Sequence, residues 1–248
     1  MLTIDIGNTH IKWAVWDNEL IIRSGSFAYS KRQAQQAFVN WNGLRPERRV
    51  MVACVGGEAV EQALTAWMRK NWSVTPEFLR STAKLAGVSN AYPEPSQYGV
   101  DRWAALLGAR ALTHLPVCII DAGTAITFDL VDAEGQHQGG LILPGLQMMR
   151  DALLQGTDGI DQTSGSITAF ANNTADAVSS GTLHMMRAAI NEICTSATRL
   201  LGSSMKIIIT GGMSELILSL PGVPQMQHEP ALVLQGLRVA AQRQTDGD

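Results

Sequence analysis

Two short turns in the sequence combine an aspartate with glycine and with hydroxyl or amide side chains. The first is Asp-Ile-Gly-Asn-Thr at positions 5–9, and the second is Asp-Ala-Gly-Thr-Ala at positions 121–125. Glycine lets backbone N–H groups approach phosphate oxygens closely, and hydroxyl and amide groups can donate to the same oxygens. Aspartates at strand ends can hold cations that offset phosphate charge. The pattern predicts binding of a nucleoside triphosphate in a cleft between two lobes.

The repetition of this turn is more specific than either copy alone. A single Asp-x-Gly-x-Thr turn is a weak signal, because aspartate and glycine are common turn formers. Each copy, however, follows a short apolar strand and precedes a second β-rich run, which is typical of a hairpin. Aligning the two aspartates also aligns three further pairs: Ile4 with Ile120, Gly7 with Gly123, and Val15 with Val131.

Strands and helices alternate around both hairpins. The remaining strands are predicted at 20–27, 50–55, 140–143 and 207–210, and the helices at 33–41, 58–70, 100–113, after Pro144, 175–201 and 231–243. This alternation indicates an α/β fold of two similar lobes. We place the lobes at residues 1–115 and 116–248. The proline-rich stretch 87–99 is predicted to be a loop.

Composition excludes several classes of protein. The formal charge is −3 and the pI about 5.9, which disfavours nucleic acid or an anionic membrane as the partner. No apolar stretch approaches the ~18 residues of a membrane span. Three scattered cysteines, an odd number without C-x-x-C spacing, disfavour a disulfide framework or a zinc site. We therefore expect a cytoplasmic protein.

The order of the motifs resembles that of type III pantothenate kinases along nearly the whole chain. The matching segments are 5–9, Gly-Val-Asp-Arg at 99–102, 121–125, Gly-Gly-Leu-Ile-Leu-Pro-Gly at 139–145, Asn-Thr at 173–174 with Ser-Gly at 180–181, and Thr-Gly-Gly at 210–212. The resemblance implies a duplicated ribonuclease H-like fold of the actin-like ATPase superfamily. It also implies transfer of the ATP γ-phosphate to the primary hydroxyl of pantothenate, which opens coenzyme A biosynthesis. Such enzymes are homodimers that use Mg²⁺ with ATP and a monovalent cation, K⁺ or NH₄⁺.

The resemblance also implies roles for individual residues. Asp101 matches the catalytic base, and Asp121 matches the ligand of the monovalent cation. The substrate-binding positions are Tyr92, Gly99, Val100, Asp101, Arg102 and Thr174, the last reaching a pocket at the dimer interface. The ATP-binding positions are Asp5, Ile6, Gly7, Asn8, Thr9, His10, Ile11, Lys12, Thr124, Gly211 and Gly212.

Most of these residues also have a purely structural interpretation. Asp101 could simply favour the N-terminus of its helix, and Arg102 could form an intramolecular salt bridge. Tyr92 could pack the loop that contains it. Thr174 could be a helix N-cap. Gly211-Gly212, which resembles the adenosine-binding loop, could be only a tight strand-to-helix turn.

Two other functions remain open at this stage. One is a sugar or small-acid kinase of the same superfamily, although ~250 residues leave little room for inserted substrate domains. The other is a non-catalytic transcriptional accessory factor, which could tolerate the loss of Asp101 or Asp121; both aspartates are present.

Two further expectations concern surfaces. Helix 175–201 is apolar over a wide arc, which predicts a dimer interface, unless the helix is central in its own lobe. The scattered histidines, His114, His137, His184 and His228, are mostly expected at the surface. Tyr98, Pro93 and Pro95 depart from the common family pattern in the substrate loop.

Overall fold

The computed structural model describes residues 1–41, 43–44 and 49–246. The strands are β1 (Leu2–Ile6), β2 (His10–Asp17), β3 (Leu20–Ala28), β4 (Val50–Cys54), β5 (Glu77–Phe78), β6 (Lys84–Leu85), β7 (Val88–Ser89), β8 (Val117–Ala122), β9 (Ala125–Val131), β10 (His137–Pro144), β11 (Lys206–Thr210) and β12 (Gln227–His228). The α-helices are α1 (Ala34–Ala37), α2 (Glu58–Trp72), α3 (Val100–Leu112), α4 (Leu146–Gly156), α5 (Thr174–Leu201), α6 (Ser214–Leu218) and α7 (Leu232–Asp246). Short 3₁₀ turns lie at Lys31–Gln33, Phe38–Trp41 and Pro95–Gln97.

The chain forms two compact units that share one sheet topology. The first unit comprises Met1–His114, Ala133–Gly139 and the segment from Ala231 onwards, and the second comprises Leu115–Asp132 and Gly140–Pro230. Their five-stranded sheets have the orders β3-β2-β1-β4-β5 and β10-β9-β8-β11-β12. In each, an antiparallel hairpin is followed by parallel strands on the other side of its first strand. The predicted α/β duplication is therefore present in the order of the strands.

The two hairpins differ in the length of their turns. In β1 and β2, Ile6 pairs with Ile11, whereas in β8 and β9, Ala122 pairs with Ile126, so the first turn has one residue more. The alignment of Val15 with Val131 is wrong for this reason. Leu2 pairs with Val15, but the equivalent Cys118 pairs with Leu130.

The final helix belongs to the first unit, although the predicted boundaries placed it in the second lobe. α7 packs along α3 because two glycines remove side chains from their crossing point. A Cβ at Gly108 would collide with the carbonyl of Leu232, and a Cβ at Gly236 with the carbonyl of Ala104. Such backbone-to-backbone packing depends on residues far apart in sequence, so local patterns do not indicate it.

Aromatic packing explains why the helix predicted at 33–41 is broken. Only Ala34–Ala37 is α-helical, and Phe38–Trp41 continues as a 3₁₀ turn. Residues three apart are eclipsed in a 3₁₀ turn, which brings the fully buried Phe38 and Trp41 onto one side. Their rings stack with centroids 5.5 Å apart and planes 6° apart. They complete the core of the first unit against Leu2, Ile4 and Ile6 of β1.

α5 covers the core of the second unit with one face. Asn173 caps this helix, since its side-chain oxygen accepts a hydrogen bond from the backbone N–H of Asp176 at 2.9 Å. Met186, Ile190 and Cys194 are buried against the sheet, whereas Met185 is 55% exposed. None of the described helices, α5 included, is long and apolar enough to span a membrane.

Candidate active site

The first phosphate turn links β1 and β2 and is held from both sides by Tyr29. The N–H of Gly7 donates to the carbonyl of His10 at 3.0 Å. The backbone N–H of Tyr29 donates to the carbonyl of Thr9 at 2.9 Å, and its phenol donates to the carbonyl of Gly7 at 2.7 Å. Asn8, Thr9 and His10 stay exposed at the tip. The turn therefore presents polar groups on a braced backbone.

Burial raises the pKa of Tyr29 to about 12, with smaller contributions from the charges of Cys54 and Asp5. The phenol therefore keeps its proton at physiological pH and remains a donor to Gly7. No sequence motif marked Tyr29, because its role depends on the pairing of His10 with Ala28 at the end of β3.

Asp5 and Lys12 lie directly opposite each other on the two strands of this hairpin. Both are partly buried and stand on the same face of the sheet, next to the turn. Ile6 and Ile11 are fully buried instead, so only their main chain can contribute to a ligand site. A carboxylate and an ammonium group beside the turn can hold a cation and a phosphate oxygen respectively.

Asp101 lies in the first turn of α3. Its Oδ1 accepts a hydrogen bond from the N–H of Arg102 at 2.8 Å, which fits the structural interpretation that it stabilises the helix N-terminus. Gly99 makes room for this carboxylate, since a Cβ there would lie 2.8 Å from the same oxygen. A carboxylate held in this way is oriented by the backbone, which is also a requirement for a general base.

Arg102 is buried, and its guanidinium lies over the ring of Tyr98, 4.7 Å from the ring centroid. This cation–π contact orients the planar guanidinium but does not neutralise its positive charge. Arg102 thus combines a fixed orientation with the ability to bind an anionic group in bidentate fashion.

Four aromatic side chains form a ring cluster under the substrate loop: Tyr92, Tyr98, Trp103 and His137. The rings of Tyr92 and Tyr98 have centroids 4.9 Å apart, and His137 lies 4.9 Å from Tyr98. His137 is 1% exposed, so it is an exception to the expectation that most of the histidines lie at the surface. It is buried because segment Ala133–Gly139 leaves the second hairpin to join the first unit.

The second phosphate turn lies in the second unit and depends on Gly145. The N–H of Gly123 donates to the carbonyl of Ala125 at 3.0 Å, and that of Gly145 donates to the carbonyl of Thr124 at 3.1 Å. A Cβ at Gly145 would collide with the carbonyl oxygen of Thr124. Thr124 itself is exposed at the tip. The last glycine of the 139–145 motif therefore allows the chain to brace this turn.

Asp121 and the loop Gly211-Gly212 lie side by side. Asp121 pairs with Thr210 in parallel register, and Gly211 follows with φ of +94°. A Cβ at Gly211 would lie 2.5 Å from both Oδ1 of Asp121 and the carbonyl oxygen of Ala122. Both oxygens therefore pack closely against Gly211, where a side chain would collide with them. Oxygen donors suit a hard cation, although no cluster of three or more metal-ligating side chains occurs among the described residues.

Ser214 and His228 support this loop from behind. The hydroxyl of Ser214 donates to the carbonyl of Gly211 at 2.8 Å, and Nε2 of His228 lies 2.8 Å from the same hydroxyl. Because Ser214 has one hydroxyl proton, this geometry assigns His228 the role of donor through Nε2. Sequence reasoning missed both residues, since the two-residue strand β12 carries no periodic signal.

Thr174 is the first residue of α5, and Asn173 is the cap. The N-cap interpretation of Thr174 is therefore wrong. Its exposed side chain lines an open groove of about 810 Å³, together with Leu153, Ala177, Val178 and Met185. This groove lies wholly within the second unit.

Comparison with known proteins identifies the family. A model of type III pantothenate kinases matches residues 1–196. This chain belongs to the type III pantothenate kinase family. It is 36% identical to a type III pantothenate kinase of Nitrosococcus oceani over 100% of this chain and 98% of that protein. It is likewise 36% identical to one of Aromatoleum aromaticum, over 97% of each chain.

Solved structures show the same fold in proteins with other names. A Campylobacter jejuni chain named as a Baf family transcriptional activator has a TM-score of 0.60 at 21% identity, covering 99% of this chain and 100% of its own. An inorganic polyphosphate/ATP-glucomannokinase from Arthrobacter has a TM-score of 0.51 at 16% identity, covering 98% of each chain. At these identities the likeness shows the fold alone. Together with the repeated sheet order, it confirms the predicted duplicated ribonuclease H-like fold.

Within this type III pantothenate kinase family member, the predicted site residues are divided between the two units. The first unit brings together the first phosphate turn with Asp5 and Lys12, and separately the substrate loop with Asp101. The second unit brings Asp121 next to Gly211-Gly212, and places Thr174 apart on the groove.

Proposed function

We propose that this protein transfers the γ-phosphate of ATP to the primary hydroxyl of pantothenate, giving 4′-phosphopantothenate, the first step of coenzyme A biosynthesis. The observation that carries the proposal is the match to type III pantothenate kinases along the full chain at 36% identity. We place the reaction in the cytoplasm; the free thiols of Cys54, Cys118 and Cys194 suit a reducing compartment.

Asp101 is the general base of the proposed reaction. The pantothenate hydroxyl oxygen forms a bond to the γ-phosphorus, and the bond from that phosphorus to the bridging oxygen of ADP breaks. The hydroxyl proton passes to the Asp101 carboxylate. The hydrogen bond from the N–H of Arg102 orients this carboxylate before the substrate arrives. Tyr92, Arg102, Gly99, Val100 and Thr174 are the proposed contacts to pantothenate.

The two phosphate turns are proposed to bind ATP. In the first, the exposed Asn8, Thr9 and His10 and the neighbouring Lys12 donate to phosphate oxygens, on a backbone that Tyr29 holds. Thr124 has the equivalent role in the second turn. Gly211-Gly212 bind the adenosine, with Ser214 holding the loop.

Cations are part of the same proposal. When bound, Mg²⁺ and a monovalent cation offset the negative charge of the triphosphate and of Asp5 and Asp121. Oδ1 of Asp121 and the carbonyl of Ala122 are the proposed ligands of the monovalent cation, because both oxygens face the space beside Gly211. K⁺ and NH₄⁺ are the two candidate ions, and both prefer oxygen donors.

We also propose that the active protein is a homodimer. α5 is buried on one face against its own sheet, yet Met185 is 55% exposed and lines the groove beside Thr174. A closed two-fold dimer is the commonest way to cover such a face. In this dimer Thr174 of one subunit contacts the pantothenate bound to the other.

A substrate panel separates the candidate functions. The purified protein is incubated with ATP and, in turn, pantothenate, other hydroxy acids and sugars, with K⁺ or with a bulky organic cation. We expect ADP formation with pantothenate only, and only with K⁺ or NH₄⁺. Turnover of a sugar instead would identify a sugar kinase. No turnover with any acceptor would favour an accessory protein.

A further inference from the structure

His137 lies between two tyrosines of the substrate loop. Tyr92 and Tyr98 lie within this loop, residues 87–99, on either side of the 3₁₀ turn Pro95–Gln97. The His137 ring is parallel to that of Tyr92, with planes 9° and centroids 6.3 Å apart. On the other side it meets Tyr98, with centroids 4.9 Å and planes 52° apart. One buried imidazole therefore contacts both tyrosines of the loop.

The backbone around His137 joins the strand that leads into the loop. The N–H of Ser89 donates to the carbonyl of Gly135 at 2.9 Å, and Ser89 and Gln136 form a parallel β-bridge. Two residues further on, the N–H of Ala91 donates to Nδ1 of His137 at 3.4 Å, a long hydrogen bond. Because Nδ1 accepts, the geometry assigns the ring proton to Nε2.

Gly135 makes this approach possible. A Cβ at Gly135 would collide with the carbonyl of Gly87, and φ of this glycine is +86°. The guanidinium of Arg110 anchors the same segment by donating to the carbonyl of Ala133 at 2.8 Å. The backbone that leads into His137 is thus fixed at Ala133 and Gly135, which sets the position of its side chain.

His137 is connected to Tyr92 and Arg102, two residues of this unit that we propose to bind pantothenate. Tyr92 is touched directly, whereas Arg102 is reached through Tyr98, whose ring lies 4.7 Å from the guanidinium. Tyr98 is also held by Ser81, whose hydroxyl donates to its carbonyl at 2.8 Å.

We infer that His137 is a positioning residue for the acceptor substrate: it holds Tyr92 and, through Tyr98, Arg102 in the geometry that binds pantothenate. The inference rests on the proposed function and adds a residue that acts on one substrate only. Its loss weakens binding of pantothenate but leaves binding of ATP unchanged.

The test compares KM values for the two substrates in wild type, His137→Ala and His137→Asn. We expect His137→Ala to raise the KM for pantothenate about tenfold, the effect of losing ring contacts and one hydrogen bond, and to change the KM for ATP less than about twofold. Asn keeps an acceptor for the N–H of Ala91 but not the ring, so His137→Asn should raise the KM for pantothenate about threefold.

A matched control is Val50→Ala, a buried residue of β4 in the core of the first unit and outside the ring cluster. It lowers stability without touching the cluster, so both KM values should stay at the wild-type level. If His137→Ala does not fold, the two KM values of His137→Asn alone test the inference. A KM for pantothenate that stays at the wild-type value in the folded variants, or equal rises for both substrates, would overturn the inference. If wild type itself does not phosphorylate pantothenate, the proposed function fails first, and this inference fails with it.

Discussion

The structure fits both roles that the sequence left open for Asp101. Its carboxylate accepts a hydrogen bond from the N–H of Arg102, which stabilises the start of α3 and fixes the orientation of the carboxylate. The same orientation would serve the proposed general base, so helix stabilisation and catalysis do not exclude each other.

We expect Asp101→Asn to keep the fold and ATP binding but to lower kcat by ~10²-fold or more, since asparagine cannot take up the hydroxyl proton. The Asn side-chain oxygen can still accept from Arg102, so thermal unfolding should be nearly unchanged. Steady-state kinetics and a melting curve measure both effects. Near-normal turnover in the variant would assign the base to another residue.

The raised pKa of Tyr29 predicts how the free energy of unfolding depends on pH. Its pKa is raised from 10 to about 12 in the folded protein, so its stabilising effect is complete below pH 10 and is lost as pH rises through 12. The free energy of unfolding should therefore fall more steeply in wild type than in Tyr29→Phe over this range. Urea unfolding at several pH values tests this. Parallel pH dependences would mean that burial does not raise the pKa of the phenol in the folded protein.

At the scale of elements, long periodic segments were predictable and short or non-local features were not. The helix predicted at 100–113 is α3 at Val100–Leu112, and the strand at 207–210 is β11 at Lys206–Thr210. The two-residue strand β12, which places His228 behind the loop Gly211-Gly212, is too short to show a periodic pattern. The joining of α7 to α3 depends on two glycines in distant parts of the sequence.

Candidates for the site could be selected from the sequence where a residue belongs to a turn motif. Asp5, Asp121 and Gly211 were selected in this way because glycine and aspartate mark tight turns, and their roles stay predictions. His137 and Tyr29 were missed because their roles arise from pairing with segments remote in sequence. Burial of a polar side chain between distant segments leaves no local signal.

One prediction at the scale of elements concerns the loop after β11, Gly211-Gly212. Gly211→Ala should lower activity at least tenfold and raise the K⁺ concentration needed for half-maximal rate, since the methyl group would occupy the space faced by Asp121 and Ala122. Gly156→Ala is the control, because a Cβ at this α4 position meets no atom within 4 Å. Kinetics across a K⁺ series compare the two variants. An unchanged K⁺ dependence in Gly211→Ala would contradict the proposed cation site.

At the scale of the whole molecule, we expect a dimer in which each substrate pocket contains residues of both subunits. Sedimentation should show a dimer at working concentration. Neither Asp101→Asn nor Thr174→Arg alone should be active, but mixed subunits should recover activity, because one site of the heterodimer then carries both lesions and the other carries neither. Mixing two preparations of Asp101→Asn is the control. A fully active monomer, or no recovery in a proven heterodimer, would contradict the shared pocket.

The central claim is that this protein phosphorylates pantothenate on its primary hydroxyl. The most direct measurement supplies ATP labelled at the γ-phosphate together with pantothenate, Mg²⁺ and K⁺, and identifies the labelled product by mass spectrometry. We expect the label to appear in 4′-phosphopantothenate, in step with ADP, and we expect pantothenate with its primary hydroxyl methylated to receive none. Label released only as inorganic phosphate, or attached to pantothenate elsewhere, would contradict the account.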